Sequence, residues 1–210
     1  MSQGPPSGRG TRAGRQVVSA PPGRLIVLSG PSGVGKDTLL QELFRVAPWL
    51  HYSISYTTRT PRPGEVDGVA YRFVDDAGFQ ALRDGHQLLE YALVHGHWYG
   101  TGEAAVRASL ERGEDIVLKI DVQGAARIRP RVAGAIFIFL LPPSPEELRR
   151  RLTERATESA DSLELRWENA RRELAEQDWY DYRVVNDDVH RAALEILDII
   201  ERSRPREVHQ

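Results

Sequence analysis

Seven consecutive residues near the start of the chain have the composition of a phosphate-binding loop. The segment reads Gly30-Pro31-Ser32-Gly33-Val34-Gly35-Lys36, and it separates an apolar run from a helical pattern. Small residues allow backbone N–H groups to surround phosphates, and the N-terminus of the following helix adds its positive dipole end. In such a loop the lysine reaches the β- and γ-phosphates of a nucleoside triphosphate. The alternative is a glycine-rich turn that binds no ligand.

The residue after this lysine departs from the usual loop pattern. That position normally holds Ser or Thr, whose hydroxyl ligates Mg²⁺, whereas this chain has Asp37 followed by Thr38. A carboxylate is also a hard oxygen ligand, so Asp37 is a candidate Mg²⁺ ligand, although its charge beside a triphosphate weakens the motif taken alone. The residues of this region assigned to ATP are Gly30, Pro31, Ser32, Gly33, Val34, Gly35, Lys36, Asp37 and Thr38.

A second anion-binding cluster follows in residues 53–68, which are dense in hydroxyls, arginines and turn residues. Arg59 and Arg62 lie in a proline-stiffened loop, so their guanidinium groups can both bind one phosphate. Tyr71 and Tyr99 add hydroxyl donors on strand-like segments. The alternative is a solvated loop with ordinary surface arginines.

The elements that must hold these residues alternate between apolar strands and helices. Strands are predicted over 25–28, 116–120, 135–141 and 183–185. Helices are predicted over 36–47, 103–112, 145–155, 163–177 and 189–202, with a short one near 77–83. This alternation indicates an α/β fold whose parallel sheet is covered on both faces.

Residues 51–102 interrupt the alternation and are therefore predicted to be an insertion. Residues 1–22 contain Gly, Pro, Ser and three arginines but no acidic residue, which predicts a disordered tail; an Arg-rich transit peptide is the alternative. The predicted division is a tail at 1–22, a domain at 23–204 with its core at 23–50 and 103–204 and its insertion at 51–102, and a tail at 205–210.

Composition excludes several classes of function. The net charge of the 210 residues is −2, without the basic excess expected of a nucleic-acid-binding protein. No apolar stretch approaches the roughly 20 residues of a membrane span. Cysteine is absent, which excludes disulfides, zinc thiolates and cysteine nucleophiles and is compatible with the cytoplasm. We therefore predict a cytoplasmic protein with neither nucleic-acid nor membrane partners.

Six further motifs give the chain a family resemblance over about residues 24–202. They are Thr57-Thr58-Arg59-Thr60-Pro61-Arg62-Pro63-Gly64-Glu65, Leu88-Leu89-Glu90-Tyr91, Tyr99-Gly100-Thr101, Ile120-Asp121-Val122-Gln123-Gly124, Leu141-Pro142-Pro143-Ser144 and Val185-Asn186-Asp187. In these motifs the chain resembles the guanylate kinases, which transfer a phosphoryl group from ATP to GMP. The resemblance implies a P-loop three-layer fold with a parallel sheet core, an inserted mixed α/β module that binds the nucleoside monophosphate, and a helical lid at about 144–167.

The resemblance also implies roles for individual residues. Those that would hold the GMP phosphate are Arg59, Arg62, Tyr71 and Tyr99, and those that would contact guanine are Ser55, Glu90, Thr101 and Asp121. Arg155 and Arg166 would supply lid arginines to the ATP phosphates, and Asn186 would lie near adenine. The chain departs from the family pattern at Ala156, where glycine is usual, and at Lys119, where an acid is common.

The residues predicted to contact guanine agree with the chemistry of this base, which has donors at N1 and N2 and an acceptor at O6. A carboxylate at Glu90 suits the two donors, and the hydroxyls of Ser55 and Thr101 suit O6. Adenine has the opposite arrangement, so AMP would leave Glu90 unpaired in a closed site, which is costly. The alternative is that Glu90 is an ordinary exposed acid on a strand.

Asp37 and Lys119 are predicted to form one feature. The loop and the end of the strand that carries Lys119 should face the same Mg²⁺-phosphate region, so the carboxylate for the metal has moved from strand to loop and the lysine offsets its charge. This hypothesis requires an ion pair between the two residues, or a phosphate or metal that joins them. The alternative is that Lys119 points into a helix layer and extends to water.

The predicted function is transfer of the γ-phosphoryl group of ATP to GMP or dGMP, with Mg²⁺, in purine nucleotide metabolism. The GMP phosphate is already substantially ionised, so no strong general base is needed, and catalysis reduces to positioning and charge stabilisation. The residues expected to provide these are Lys36, Arg59, Arg155 and Arg166. The alternatives are a non-catalytic guanylate-kinase-like binding module and a P-loop kinase for another small phosphorylated substrate.

Overall fold

The computed structural model describes residues 23–69, 71–94, 96–154 and 160–203, with only the backbone of 160–162. In chain order its elements are β1 (Leu25–Ser29), α1 (Lys36–Val46), β2 (His51–Tyr52), β3 (Tyr56–Thr57), β4 (Arg72–Phe73), α2 (Asp76–Asp84), β5 (Leu88–Val94), β6 (His97–Gly102), α3 (Glu103–Glu111), β7 (Ile116–Lys119), α4 (Val122–Ile128), β8 (Ile136–Leu141), α5 (Pro145–Glu154), α6 (Ala160–Ala175), a 3₁₀ turn (Glu176–Trp179), β9 (Tyr182–Val185) and α7 (Val189–Arg202). The predicted tails at 1–22 and 205–210 lie outside the described residues.

A parallel sheet of five strands forms the centre of the fold, in the order β2-β7-β1-β8-β9. All five residues of the central strand β1 are buried. Because successive side chains point to opposite faces of a strand, Ile26 and Leu28 pack with α1 and α7, whereas Leu25 and Val27 pack with α3 and α4. Helices therefore cover both faces of the sheet, which confirms the predicted α/β class.

The carboxyl ends of β1 and β7 lie side by side and carry the candidate site. Leu28 is the register partner of Lys119, so the loop that follows β1 and the residues that end β7 emerge at the same edge of the sheet. Ligands of open parallel sheets bind at this edge. The fold thus brings together Lys36 and Lys119, the only two lysines of the chain.

A second sheet has four strands in the order β4-β3-β6-β5 and is mixed, since β3 pairs with β4 in parallel and with β6 antiparallel. All four strands come from the region predicted to be an insertion. The prediction was wrong at one boundary, because β2, at residues 51–52, pairs with β7 in the main sheet. The second sheet therefore begins only after Tyr52.

Helix α4 is absent from the sequence prediction, which was wrong on this point. The helix has only seven residues and contains Gly124, a poor helix former, so no helical period is visible there. Its N-cap is Asp121, whose side chain accepts a hydrogen bond from the Gly124 N–H at 2.8 Å. None of the described helices is both long and apolar enough to cross a membrane.

Candidate active site

The phosphate-binding loop runs from the end of β1 to the start of α1, as the sequence predicts. Gly30, Gly33 and Gly35 have φ angles of +148°, +83° and +100°, a region that side-chain-bearing residues rarely adopt. At Gly35 a Cβ atom would also lie 2.7 Å from Nδ2 of Asn186. The glycines are therefore required both by the turn and by the close approach of a distant side chain.

Lys36 folds back over this loop. Its Nζ donates hydrogen bonds to the carbonyl oxygens of Gly30 and Pro31, at 2.6 and 3.0 Å. Burial lowers the pKa of the Lys36 ammonium below its ordinary value, although nearby acids, Glu173 foremost, oppose this shift. The ammonium is thus held among backbone oxygens at the mouth of a cavity of about 180 Å³.

The side chains of Asn186 and Arg151 both donate hydrogen bonds to the backbone of the phosphate loop. The buried Asn186 side chain donates to the Val34 carbonyl at 2.8 Å, and Nη1 of Arg151 donates to the same oxygen at 3.1 Å. Nη2 of Arg151 also donates to the Asn186 carbonyl at 3.3 Å. In this arrangement Asn186 holds the loop itself, so its contact with adenine stays a prediction, and Arg151 is a supporting residue that sequence reasoning missed.

An acidic side chain from α6 accepts a hydrogen bond from one backbone amide of the phosphate loop. Oε2 of Glu173 accepts a hydrogen bond from the Ser32 N–H at 2.8 Å, the type of donor that phosphate-binding loops offer to their ligand. In the sequence, Glu173 follows two arginines within a helical pattern, which gives no signal that distinguishes it from a solvated acid.

The cavity beside Lys36 brings together residues from both halves of the molecule. Of the residues that the sequence analysis proposed, its walls include Ser32, Lys36, Ser55, Tyr71, Glu90, Tyr99 and Asp121. Ser32 and Lys36 come from the phosphate loop and α1, whereas Glu90 and Tyr99 come from the mixed sheet. One cavity therefore contains both the candidate ATP residues and the candidate GMP residues.

Glu90 is buried at the base of this cavity. Its side chain lies on β5 with a relative exposure of 4%, and Oε1 accepts a hydrogen bond from the Thr101 hydroxyl at 2.6 Å. Burial raises the pKa of the Glu90 carboxyl to about 7, against the opposing effect of that hydrogen bond. A Cβ at Gly124 would lie 2.6 Å from its Oε2. The alternative of an exposed strand acid is therefore wrong.

The residues predicted to bind the acceptor phosphate are only partly assembled. The rings of Tyr71 and Tyr99 lie 5.8 Å apart, and the Arg59 guanidinium lies 5.5 Å from the Tyr71 ring. Arg59 is held by Glu65 through an ion pair of 2.8 Å. Arg62 is exposed, and the structure does not place it in the wall of the cavity.

The predicted ion pair between Asp37 and Lys119 is present. Nζ of Lys119 lies 2.6 Å from Oδ1 of Asp37, and the Lys119 side chain is only 13% exposed, compared with 67% for Asp37. Lys119 also lies 5.0 Å from the centroid of the Tyr71 ring. The lysine therefore faces the cavity, and the alternative in which it enters a helix layer and extends to water is wrong.

The lid arginines are only partly described. Arg155 lies outside the described residues, while Arg166 is half-buried on α6. Two arginines of α5 pair with acids, Arg149 with Glu164 at 3.5 Å and Arg150 with Glu147 at 2.7 Å.

The side chains beside the phosphate loop are suited to a magnesium ion whose ligands are mainly substrate phosphates. Among the described residues no group of three or more His, Asp or Glu side chains could hold a metal alone. Mg²⁺ in phosphoryl-transfer sites is normally bound by one or two carboxylates together with the substrate phosphates. The largely exposed Asp37 carboxylate, next to Lys36 at the start of α1, fits that mode.

A phosphate loop between β1 and α1 of a parallel sheet, facing a cavity shared with an inserted module, defines a P-loop phosphotransferase. The family model for guanylate kinase matches residues 22–203. The chain is 46% identical over 178 residues to the guanylate kinase of Desulfitobacterium hafniense, covering 85% of this chain and 89% of that protein. It is 49% identical over 179 residues to that of Thermobifida fusca, covering 85% and 91%.

Solved structures agree with this match. The crystal structure of guanylate kinase from Anaplasma phagocytophilum superposes with a TM-score of 0.73 at 32% identity, covering 89% of each chain. The chain belongs to the guanylate kinase family.

Proposed function

We propose that this protein transfers the γ-phosphoryl group of ATP to GMP, giving ADP and GDP, and that it accepts dGMP as well. The observation that carries this proposal is the buried carboxyl of Glu90, which shares one cavity with the phosphate-loop lysine. A buried acid is stable only where its hydrogen-bonding capacity is used. The N1 and N2 donors of guanine provide partners of the required type, and adenine does not.

The two sides of the cavity receive the two nucleotides. On the loop side, the backbone N–H groups and Lys36 bind the β- and γ-phosphates of ATP. On the opposite side, the residues proposed for the GMP phosphate are Arg59, Arg62, Tyr71 and Tyr99, and those proposed for guanine are Ser55, Glu90, Thr101 and Asp121. Since no residue is committed to the ribose 2′-hydroxyl, ribo- and deoxyribonucleotides should both be substrates.

Phosphoryl transfer requires these groups to hold two anions in line. An ionised oxygen of GMP attacks the γ-phosphorus, and ADP leaves with the electrons of the broken bond. Lys36, Arg59 and the proposed lid residues Arg155 and Arg166 stabilise the charge of the transferring group. Mg²⁺, held by Asp37 and the phosphates, supplies further charge neutralisation when bound. We further propose that the core stays rigid while the insertion and the lid close over it and exclude water, and that the protein acts in the cytoplasm.

A coupled assay of ADP formation with GMP, dGMP, AMP and UMP in turn tests the function. We expect turnover with GMP and dGMP and poor turnover with AMP, because AMP leaves the Glu90 carboxylate unpaired. Equal turnover of AMP and GMP would contradict the assignment of the base-reading residues. Binding of GMP without turnover would instead identify a non-catalytic binding module.

We also propose that the carboxylate for the metal has moved to Asp37 and that Lys119 offsets its charge. Asp37→Ser and Lys119→Asp should each raise the KM for Mg²⁺-ATP, and the double variant should recover part of the loss, because the residues touch and contacting residues are coupled in double-mutant cycles. Measurement of this KM across Mg²⁺ concentrations checks the coupling. Purely additive losses would refute the exchange.

A further inference from the structure

Lys119 brings a second lysine into the cavity, on a different element from the phosphate loop. It ends β7, and its side chain is 13% exposed. Both lysines of the chain, Lys36 and Lys119, line the same cavity. Each is a compact cation at the edge of the sheet where the two proposed substrates meet.

The contacts of Lys119 connect the two halves of the site. On the loop side its Nζ pairs with Asp37 at 2.6 Å, next to Lys36 at the start of α1. On the opposite side its Nζ lies 5.0 Å from the ring centroid of Tyr71, a residue proposed for the GMP phosphate. The ammonium therefore contacts a residue from each of the two proposed nucleotide sites.

The state of this ammonium favours an anion beside it. The Lys119 side chain is only 13% exposed, so few water molecules can reach the cation. An ammonium has three donors; one donates to Asp37, and Tyr52 is a further partner.

A neighbouring cation, Arg59, also favours an anion beside Tyr71. Tyr71 is contacted by the Arg59 guanidinium at 5.5 Å and by the Lys119 ammonium at 5.0 Å, both measured to the ring centroid. Each cation is paired with an acid, Arg59 with Glu65 and Lys119 with Asp37, and both lie beside a tyrosine that is proposed for the GMP phosphate. A phosphate bound at Tyr71 would therefore have two cations nearby.

On these contacts, and resting on the proposed function, we propose that Lys119 is a further catalytic residue that binds the acceptor phosphate of GMP. It holds the attacking oxygen as the bond from that oxygen to the γ-phosphorus forms and the bond from the γ-phosphorus to the β–γ bridging oxygen breaks. ADP leaves with the electron pair of the broken bond. Lys119 supplies charge and orientation and transfers no proton.

Comparing the affinities for GMP and guanosine distinguishes phosphate binding by Lys119 from a purely structural role of this residue. The two ligands differ only in the phosphate, so loss of a phosphate contact weakens GMP binding and leaves guanosine binding unchanged. Lys119→Met keeps the length of the side chain and removes its charge. We expect the ratio of GMP to guanosine affinity, measured by calorimetry without ATP or metal, to fall about tenfold or more, since the lost hydrogen bond is charged.

Two further variants complete the experiment. Lys119→Arg should retain most of the GMP preference because it preserves the charge. Lys119→Gln, which also removes the charge, replaces the Met variant if that protein does not fold. Arg202→Met removes an exposed cation of α7 that pairs with Asp198 and should leave the ratio unchanged. In steady-state assays, the KM for GMP should rise more than the KM for ATP in Lys119→Met.

The outcomes distinguish this inference from the proposed function. If the unaltered protein does not prefer GMP to guanosine, the proposed function itself fails. If it prefers GMP and Lys119→Met preserves the full preference, the inference about Lys119 is overturned. Equal weakening of GMP and guanosine would also overturn it, because that result indicates a structural role.

Discussion

Replacing Lys36 with methionine is expected to lower kcat by about 10²–10³-fold, the loss typical of removing a preorganised donor to the transition-state charge. Methionine retains the length of the side chain, so the loss reflects the ammonium. GMP binding should remain, because Lys36 is not among the residues proposed to bind GMP. Steady-state kinetics with saturating ATP, together with calorimetric titration of GMP, measure the two effects separately.

The folded state of this variant must be checked, because Lys36 also bonds to the carbonyls of Gly30 and Pro31 at 2.6 and 3.0 Å. Thermal unfolding of the variant, compared with that of the unaltered protein, provides this control. A folded Lys36→Met protein that keeps more than about a tenth of the original kcat would show that the lysine does not stabilise the transferring phosphoryl group.

The second large effect concerns the choice of base. Glu90→Gln should reduce kcat/KM for GMP by about 30- to 150-fold, equivalent to roughly 2–3 kcal/mol of transition-state binding, since a charged acceptor is replaced by a neutral amide that is itself a donor. The activity with AMP should fall much less, so the preference for GMP over AMP narrows. Glu111→Gln, an exposed position of α3, is the matched control.

The pH dependence of GMP binding provides a second measurement of the same residue. Burial raises the pKa of Glu90 to about 7 in the nucleotide-free protein, and guanine requires the ionised form. GMP affinity should therefore weaken as the pH falls below about 7. Glu90→Gln should lose this component and keep only the titration of the phosphate, which has a pKa of about 6. Identical pH profiles for the two proteins would contradict the role assigned to Glu90.

The central sheet was predictable from sequence because its strands are continuous apolar runs. The residues of β1 and β8 are buried almost throughout, and such runs between helical patterns indicate a parallel sheet. The phosphate loop was predictable as well, because its three glycines and its lysine lie within seven consecutive residues. The strands β2 and β3 have two residues each, too few to show any period.

No local sequence pattern indicated the contacts between residues that are far apart in the chain. The sequence did not indicate that Asn186 supports Val34 or that Glu173 accepts a hydrogen bond from the Ser32 amide, since α6 has an ordinary helical pattern in sequence. Each contact depends on how α6 and β9 dock against the core. Such docking cannot be inferred from local periodicity. The ion pair of Asp37 with Lys119 was predictable only because both residues depart from the family pattern and lie near the carboxyl ends of the adjacent strands β1 and β7.

The hydrogen bond from Asn186 to Val34 also affects the order in which parts of the protein can fold. The two residues are 152 positions apart, whereas the loop motif that contains Val34 is a short local segment. A contact of such long sequence separation can form only after most of the intervening chain has been brought into place, which costs loop-closure entropy. The loop's local turn can therefore form early, but its final support must wait until β9 has joined the edge of the sheet. During synthesis, the nucleotide-binding loop is made 152 positions before the residue that completes its support.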